Sequence, residues 1–128
     1  MTREELAAFD DEVLLSVGTE VGAERLAALA REHQAGVRDL PGVDDIVYEW
    51  RRGLPWDPLL FRSPEVYVLA VPNRVWAEFL DRLSPEDPEA EALRELHDRQ
   101  ARRTLERVAR QEVTDALDAR AAMVLTRP

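Results

Sequence analysis

Val66-Tyr67-Val68-Leu69-Ala70-Val71 is the stretch on which the fold class turns. Its β-branched and aromatic residues favour a strand. Ser63-Pro64-Glu65, just before it, has the form of a helix start, with a capping hydroxyl and a Pro at the first helical position. A lone strand needs a partner, and the segment that offers one is Val13 to Val17. We read residues 66–71 as a short buried helix, which makes the chain all-α. The alternative is an α+β fold in which 13–17 and 66–71 form a minimal two-strand pair, or in which such pairing crosses a dimer.

Downstream, Asn73 is placed to cap a helix with Val75, Trp76, Phe79, Leu80 and Leu83 facing inward. Ser84-Pro85 and Asp87-Pro88 bend the chain into its last third. From Pro88 to Val124 there is no Gly and no further Pro, and the composition is dominated by strong helix formers. One helix of that span would be about 50 Å long at about 1.5 Å per residue. A compact chain of this size has a radius of gyration of only about 14 Å, so the rod must protrude or break. Its apolar positions, Leu93, His97, Ala101, Leu105, Ala109, Val113, Leu117, Ala121 and Leu125, recur every four residues and therefore wind around the rod. Leu93 and Leu96 are expected on the preceding helices, and Val113 and Leu117 on the first helix or on a second subunit.

Upstream, Thr2 and Glu5 form a capping-box pattern before the apolar steps Leu6, Phe9, Val13 and Val17, a helix ending near Gly18. Asp10 lies at the edge of that stripe as a solvated flank. Thr19 caps the next helix, to about Asp39, with Leu26, Leu29, Ala30, His33, Val37 and Leu40 on one face. Gly36 inside it signals fraying or the close approach of another backbone. Val43 to Arg52 is a third helix with Asp44 and Asp45 in its first turn. Leu54-Pro55-Trp56-Asp57-Pro58 is an ordered loop, and Asp57-Pro58 again looks like a helix start. No linker, repeat or low-complexity segment divides residues 1–128, so a single helical domain is expected.

Composition excludes more than it suggests. There is no Cys, hence no thiol nucleophile and no thiolate metal site, and no Lys, hence no Schiff base and no P-loop. His33 and His97 stand outside every paired metal-ligand motif, and both read as core histidines. The glycines form no dinucleotide-binding loop. No catalytic residue, metal or cofactor is assigned. The 26 acidic residues against 17 arginines leave a net charge of −9, a composition that resembles salt-adapted proteins or the product of a GC-rich genome. No signal sequence is visible and the longest apolar run is too short for a bilayer, so a cytoplasmic protein is expected, with no membrane partner.

Two clusters remain as candidate sites. Tyr48, Trp50, Arg51, Arg52, Trp56 and Asp57 could form an anion or aromatic-ligand pocket, because Arg forks bind carboxylates and stack on rings. The plainer reading is that the two Trp anchor the loop. Arg99, Arg103, Arg107 and Arg110 share one sector of the long helix. That face suits docking to the acidic surface of a second copy, binding of phosphates, or plain solvation with i,i+4 pairs such as Glu95–Arg99. The expectation is a small acidic, non-enzymatic interaction or regulatory protein that self-associates through its C-terminal helix. A ligand-binding module or enzyme at Trp50–Asp57 is the alternative, and a nucleic-acid accessory role through Arg99–Arg110 is weaker.

Overall fold

The computed structural model describes residues 2–39 and 41–128. Among them, helices α1 (Asp11–Val17), α2 (Ala23–Asp39) and α3 (Val43–Gly53) precede strands β1 (Leu59–Arg62) and β2 (Val66–Val71). Helices α4 (Asn73–Leu83) and α5 (Asp87–Arg107) follow. A 3-10 turn at Gln111–Val113 and a one-turn helix α6 (Ala116–Ala119) then lead into strand β3 (Ala121–Thr126). The molecule is helix-dominated, with a three-stranded antiparallel sheet in the order β1-β2-β3. Leu40, the last residue of the predicted α2 stripe, lies outside the described residues.

Residues 66–71 are therefore a strand, and the all-α expectation is corrected. The predicted partner is corrected too: residues 13–17 lie within α1, and β2 pairs with β1 and β3 instead. Val66, Val68 and Ala70 face Thr126, Val124 and Ala122 in register; Phe61 and Arg62 face Val68 and Tyr67. Every residue of β2 and of β3 is buried. Both alternating sets of side chains are covered, and so the strand reads as an unbroken apolar run. Ser63-Pro64-Glu65 is the hairpin loop between β1 and β2, where the Ser63 hydroxyl accepts the Glu65 N–H at 3.1 Å. The same local bond serves a helix cap or a turn. Asp57 likewise starts a strand, accepting the Leu59 N–H at 3.0 Å.

The 88–124 rod breaks. α5 stops at Arg107, and the Arg110 N–H bonds the Leu105 carbonyl at 2.7 Å while the Ala109 N–H bonds that of Glu106 at 3.1 Å. That is the two-bond Schellman cap, with Ala109 at φ +58° where Gly is usual. Leu93, Leu96, His97, Ala101 and Leu105 are all buried. Leu117 and β3 join the same apolar cluster, which runs from Phe9 to Leu125. The winding four-residue stripe is thus split between a helix and a strand, both facing one core.

Three side chains finish the outer edge of β3. Trp76 Nε1 donates to the Ala122 carbonyl at 2.9 Å. The Gln34 amide imitates a peptide, donating to the Val124 carbonyl at 2.8 Å and accepting the Thr126 N–H at 2.9 Å. The Val124 N–H donates to His97 Nδ1 at 3.0 Å. One residue each from α4, α2 and α5 thereby satisfies the alternate residues 122, 124 and 126, which an open edge would leave exposed for pairing. These bonds also set the histidines' state. His97 accepts at Nδ1, so its proton sits on Nε2. The second Gln34 N–H lies 3.3 Å from His33 Nδ1 and imposes the same tautomer there. The two rings pack edge to face at 5.0 Å, with His33 stacked on Trp76. Burial pushes His33 down to about 3, and burial together with the nearby His33 holds His97 well below the usual histidine range.

Two local readings change. α1 begins only at Asp11, after a turn at residues 5–8, and α2 begins at Ala23 rather than at Thr19. Gly36 is exposed and helical, and a Cβ there would meet nothing within 4 Å. No backbone approaches it.

Candidate functional site

α1 is short and leans on α5 through charge. Its N-cap Asp10 has extended backbone, and Asp11 and Glu12 fill its first turn, where carboxylates offset the helix dipole. The Asp10 carboxylate is a hub. Its Oδ2 receives Arg107 Nη2 at 2.6 Å and Arg103 Nε at 3.0 Å, while the Asp10 N–H donates to Gln100 Oε1 at 2.8 Å. The Arg107 hydrogen bond is the main cause that holds the Asp10 carboxyl below its ordinary range; Asp10 in turn raises Arg107. The solvated-flank reading of Asp10 is thereby corrected. Arg103 Nη2 reaches Glu12 at 2.8 Å, and Arg99 donates to the Ser16 hydroxyl at 3.2 Å and to Glu95 at 2.7 Å.

Between the two helices runs an open groove of about 930 Å³. Glu12, Val13 and Ser16 form one wall; Arg99, Arg102, Arg103, Glu106 and Arg107 form the other. The structure therefore gathers three of the four arginines picked from the sequence. Arg110 leaves the row, because its N–H closes the α5 cap and its guanidinium pairs with Glu112 at 2.6 Å. Arg102, which sequence reasoning passed over, takes its place and bridges Asp98 and Asp118 at 3.0 and 3.1 Å. The signal for this wall was present in the i,i+3/i+4 spacing of 99, 102, 103, 106 and 107. The opposing wall depends on a tertiary contact and had no such signal.

The second cluster is arranged differently. Arg51 forks onto Asp57 through Nε and Nη2 at 3.1 and 2.8 Å. Trp50 packs edge-on against Phe79, and Trp56 donates to the Ala70 carbonyl at 3.4 Å beneath the Arg120 guanidinium. Arg52 lies over the exposed Tyr48 ring. Tyr48 and Arg51 share a dimple of about 190 Å³ with Asp44, Arg62 and Tyr67, a lining from which Trp50, Arg52, Trp56 and Asp57 are absent. The structure does not bring these six residues into one cavity.

Residues 7–127 match the family model described as Domain of unknown function (DUF8048). The chain belongs to that family. The matched DUF8048 span runs from before α1 through β3 and includes every groove residue. No curated protein and no solved structure matches the chain. Among the described residues of this DUF8048 chain, no helix is long and apolar enough to cross a membrane, and no three His, Asp or Glu gather to hold a metal ion.

Proposed function

We propose that this is a non-enzymatic interaction protein, and that the groove between α1 and α5 is its working surface, taking an acidic face of another protein molecule. The observation that carries the reading is the concentration of opposite charge. Residues 99–110 hold five Arg and one Glu, a net +4 in a chain of −9, so the remainder carries −13. Each groove arginine keeps donors to spare after its internal pairs and has roughly half of its side chain exposed, 40% for Arg103 and 54% for Arg107. Guanidinium groups in that state recognise carboxylates by geometry as well as by charge. Leu15, next to the wall residue Ser16, is 61% exposed and offers an apolar contact at the margin. Nucleic acid is the less favoured occupant, since the sequence carries no nucleic-acid recognition motif. The Trp50–Asp57 cluster is the second candidate, as a small-ligand site, but its dimple falls below the roughly 300 Å³ of an ordinary ligand pocket.

The experiment is fluorescence anisotropy of a labelled poly-glutamate peptide at low salt. Saturable binding that Arg99→Glu with Arg102→Glu weakens at least tenfold is the expected result. Absence of binding at low salt, or binding that the double variant leaves unchanged, overturns the reading.

A further inference from the structure

α5 is segregated by charge along its length. Asp87 to Asp98 carries five carboxylates and one Arg; Arg99 to Arg107 carries four Arg and one Glu. The order complements the helix dipole, which accounts for part of it. It does not account for where the charges point. At about 100° per residue, Glu91, Glu95, Arg99, Arg102 and Glu106 fall within a sector about 80° wide. Four of the five are exposed and Arg102 is half-exposed; Arg99, Arg102 and Glu106 line the groove, and Glu91 and Glu95 continue the line beyond its end. Glu91, Glu95, Arg99 and Arg102 run acidic then basic before Glu106 closes the line, and that four-residue order is self-complementary under a two-fold axis, the symmetry of most homodimers.

From this we infer that the occupant of the α1/α5 groove is a second copy of the same chain, laid antiparallel along α5 so that Glu91 and Glu95 of one copy face Arg102 and Arg99 of the other. The inference rests on the reading of the groove as a protein-docking surface and names its partner. The axis crosses α5 near residue 97. The contact is held mainly by exposed charges, so it is weak and salt-sensitive. The screening length is about 10 Å at 0.1 M salt and about 3 Å at 1 M, and the dimer forms at the first and dissociates at the second.

The test is sedimentation of the full chain and two charge-swapped forms at about 0.1 M salt. Arg99→Glu/Arg102→Glu makes the whole line acidic; Glu91→Arg/Glu95→Arg makes it basic. The native chain should approach twice the monomer mass with rising concentration, and each swapped form alone should stay monomeric. An equimolar mixture of the two should regain the dimer mass, because only the mixed pair is complementary. Recovery on mixing also shows that both variants are folded. A native chain that is monomeric at every concentration overturns the inference, as does a mixture that stays monomeric. If poly-glutamate still binds the groove in that case, the docking surface stands and its partner is a different acidic protein.

Discussion

Single residues carry several separable tests. Gly36 lies in an exposed stretch of α2 with open space where a Cβ would go. Gly36→Ala should therefore raise unfolding stability by about 1 kcal/mol, read from the urea midpoint. Ala109 pays for a left-handed conformation at the end of α5, which costs an L-residue about 1–2 kcal/mol. Ala109→Gly should recover about 1 kcal/mol, and a loss of stability would contradict the Schellman geometry. Asp10 accepts from two arginines and from Gln100 while its N–H donates to the Gln100 side chain. Asp10→Ala should cost about 1–2 kcal/mol at low salt and less at high salt, because charge-assisted bonds at a partly exposed site are screened. Gly36 stood out in the sequence as a poor helix former, but α2 runs through it and no other backbone comes near. Asp10 did not stand out, because its partners lie about ninety residues away and nothing local distinguishes it from a solvated carboxylate.

Among the elements, the helices were legible and the sheet was not. α2, α3 and α4 announce themselves through apolar spacing and helix-ending residues, and α2 and α3 also through acidic first turns, all of them local. A strand acquires its identity from what it pairs with. The Leu59–Arg62 stretch is too short to show a period, and Ala121–Thr126 is written in Ala, Met and Leu, residues that score well in helices. The rod, which had to protrude or break, breaks at a cap where Ala109 takes the left-handed position usual for Gly, so no Gly marked the place in the sequence. The arginine row was visible as a face of α5, whereas the groove it borders needed α1 to be docked against it. The β3 edge gives this scale its own test. Both histidines are neutral when folded, and below pH 6.5 the unfolded chain takes up protons that the folded chain refuses until about pH 3 at His33. The unfolded state binds more protons across that window, so stability must rise with pH through it. Between pH 6.5 and 5 the loss should be about 1.6 kcal/mol per histidine. Urea unfolding at the two pH values reads it, and His33→Phe, which keeps a ring against Trp76, should remove about half of the slope. A pH-independent midpoint would contradict the buried neutral pair.

For the whole molecule, the distribution of charge matters more than its total. Part of the acidic complement is paired with the chain's own arginines, with Asp10, Glu12, Glu95, Asp98 and Asp118 all engaged around α5. Along the outward face of α5 the charge runs from acidic toward Asp87 to basic toward Arg107. We propose this gradient as the seat of self-association. The chain contains no Cys, so a single introduced thiol reports proximity without interference. Asp98→Cys places one close to the two-fold axis, and Glu78→Cys places one on the exposed face of α4, away from it. Under mild oxidation at low salt, the Asp98→Cys chain should form disulfide-linked dimers much faster than the Glu78→Cys chain, and high salt should abolish the difference. Equal rates for the two at low salt would contradict the antiparallel α5 contact.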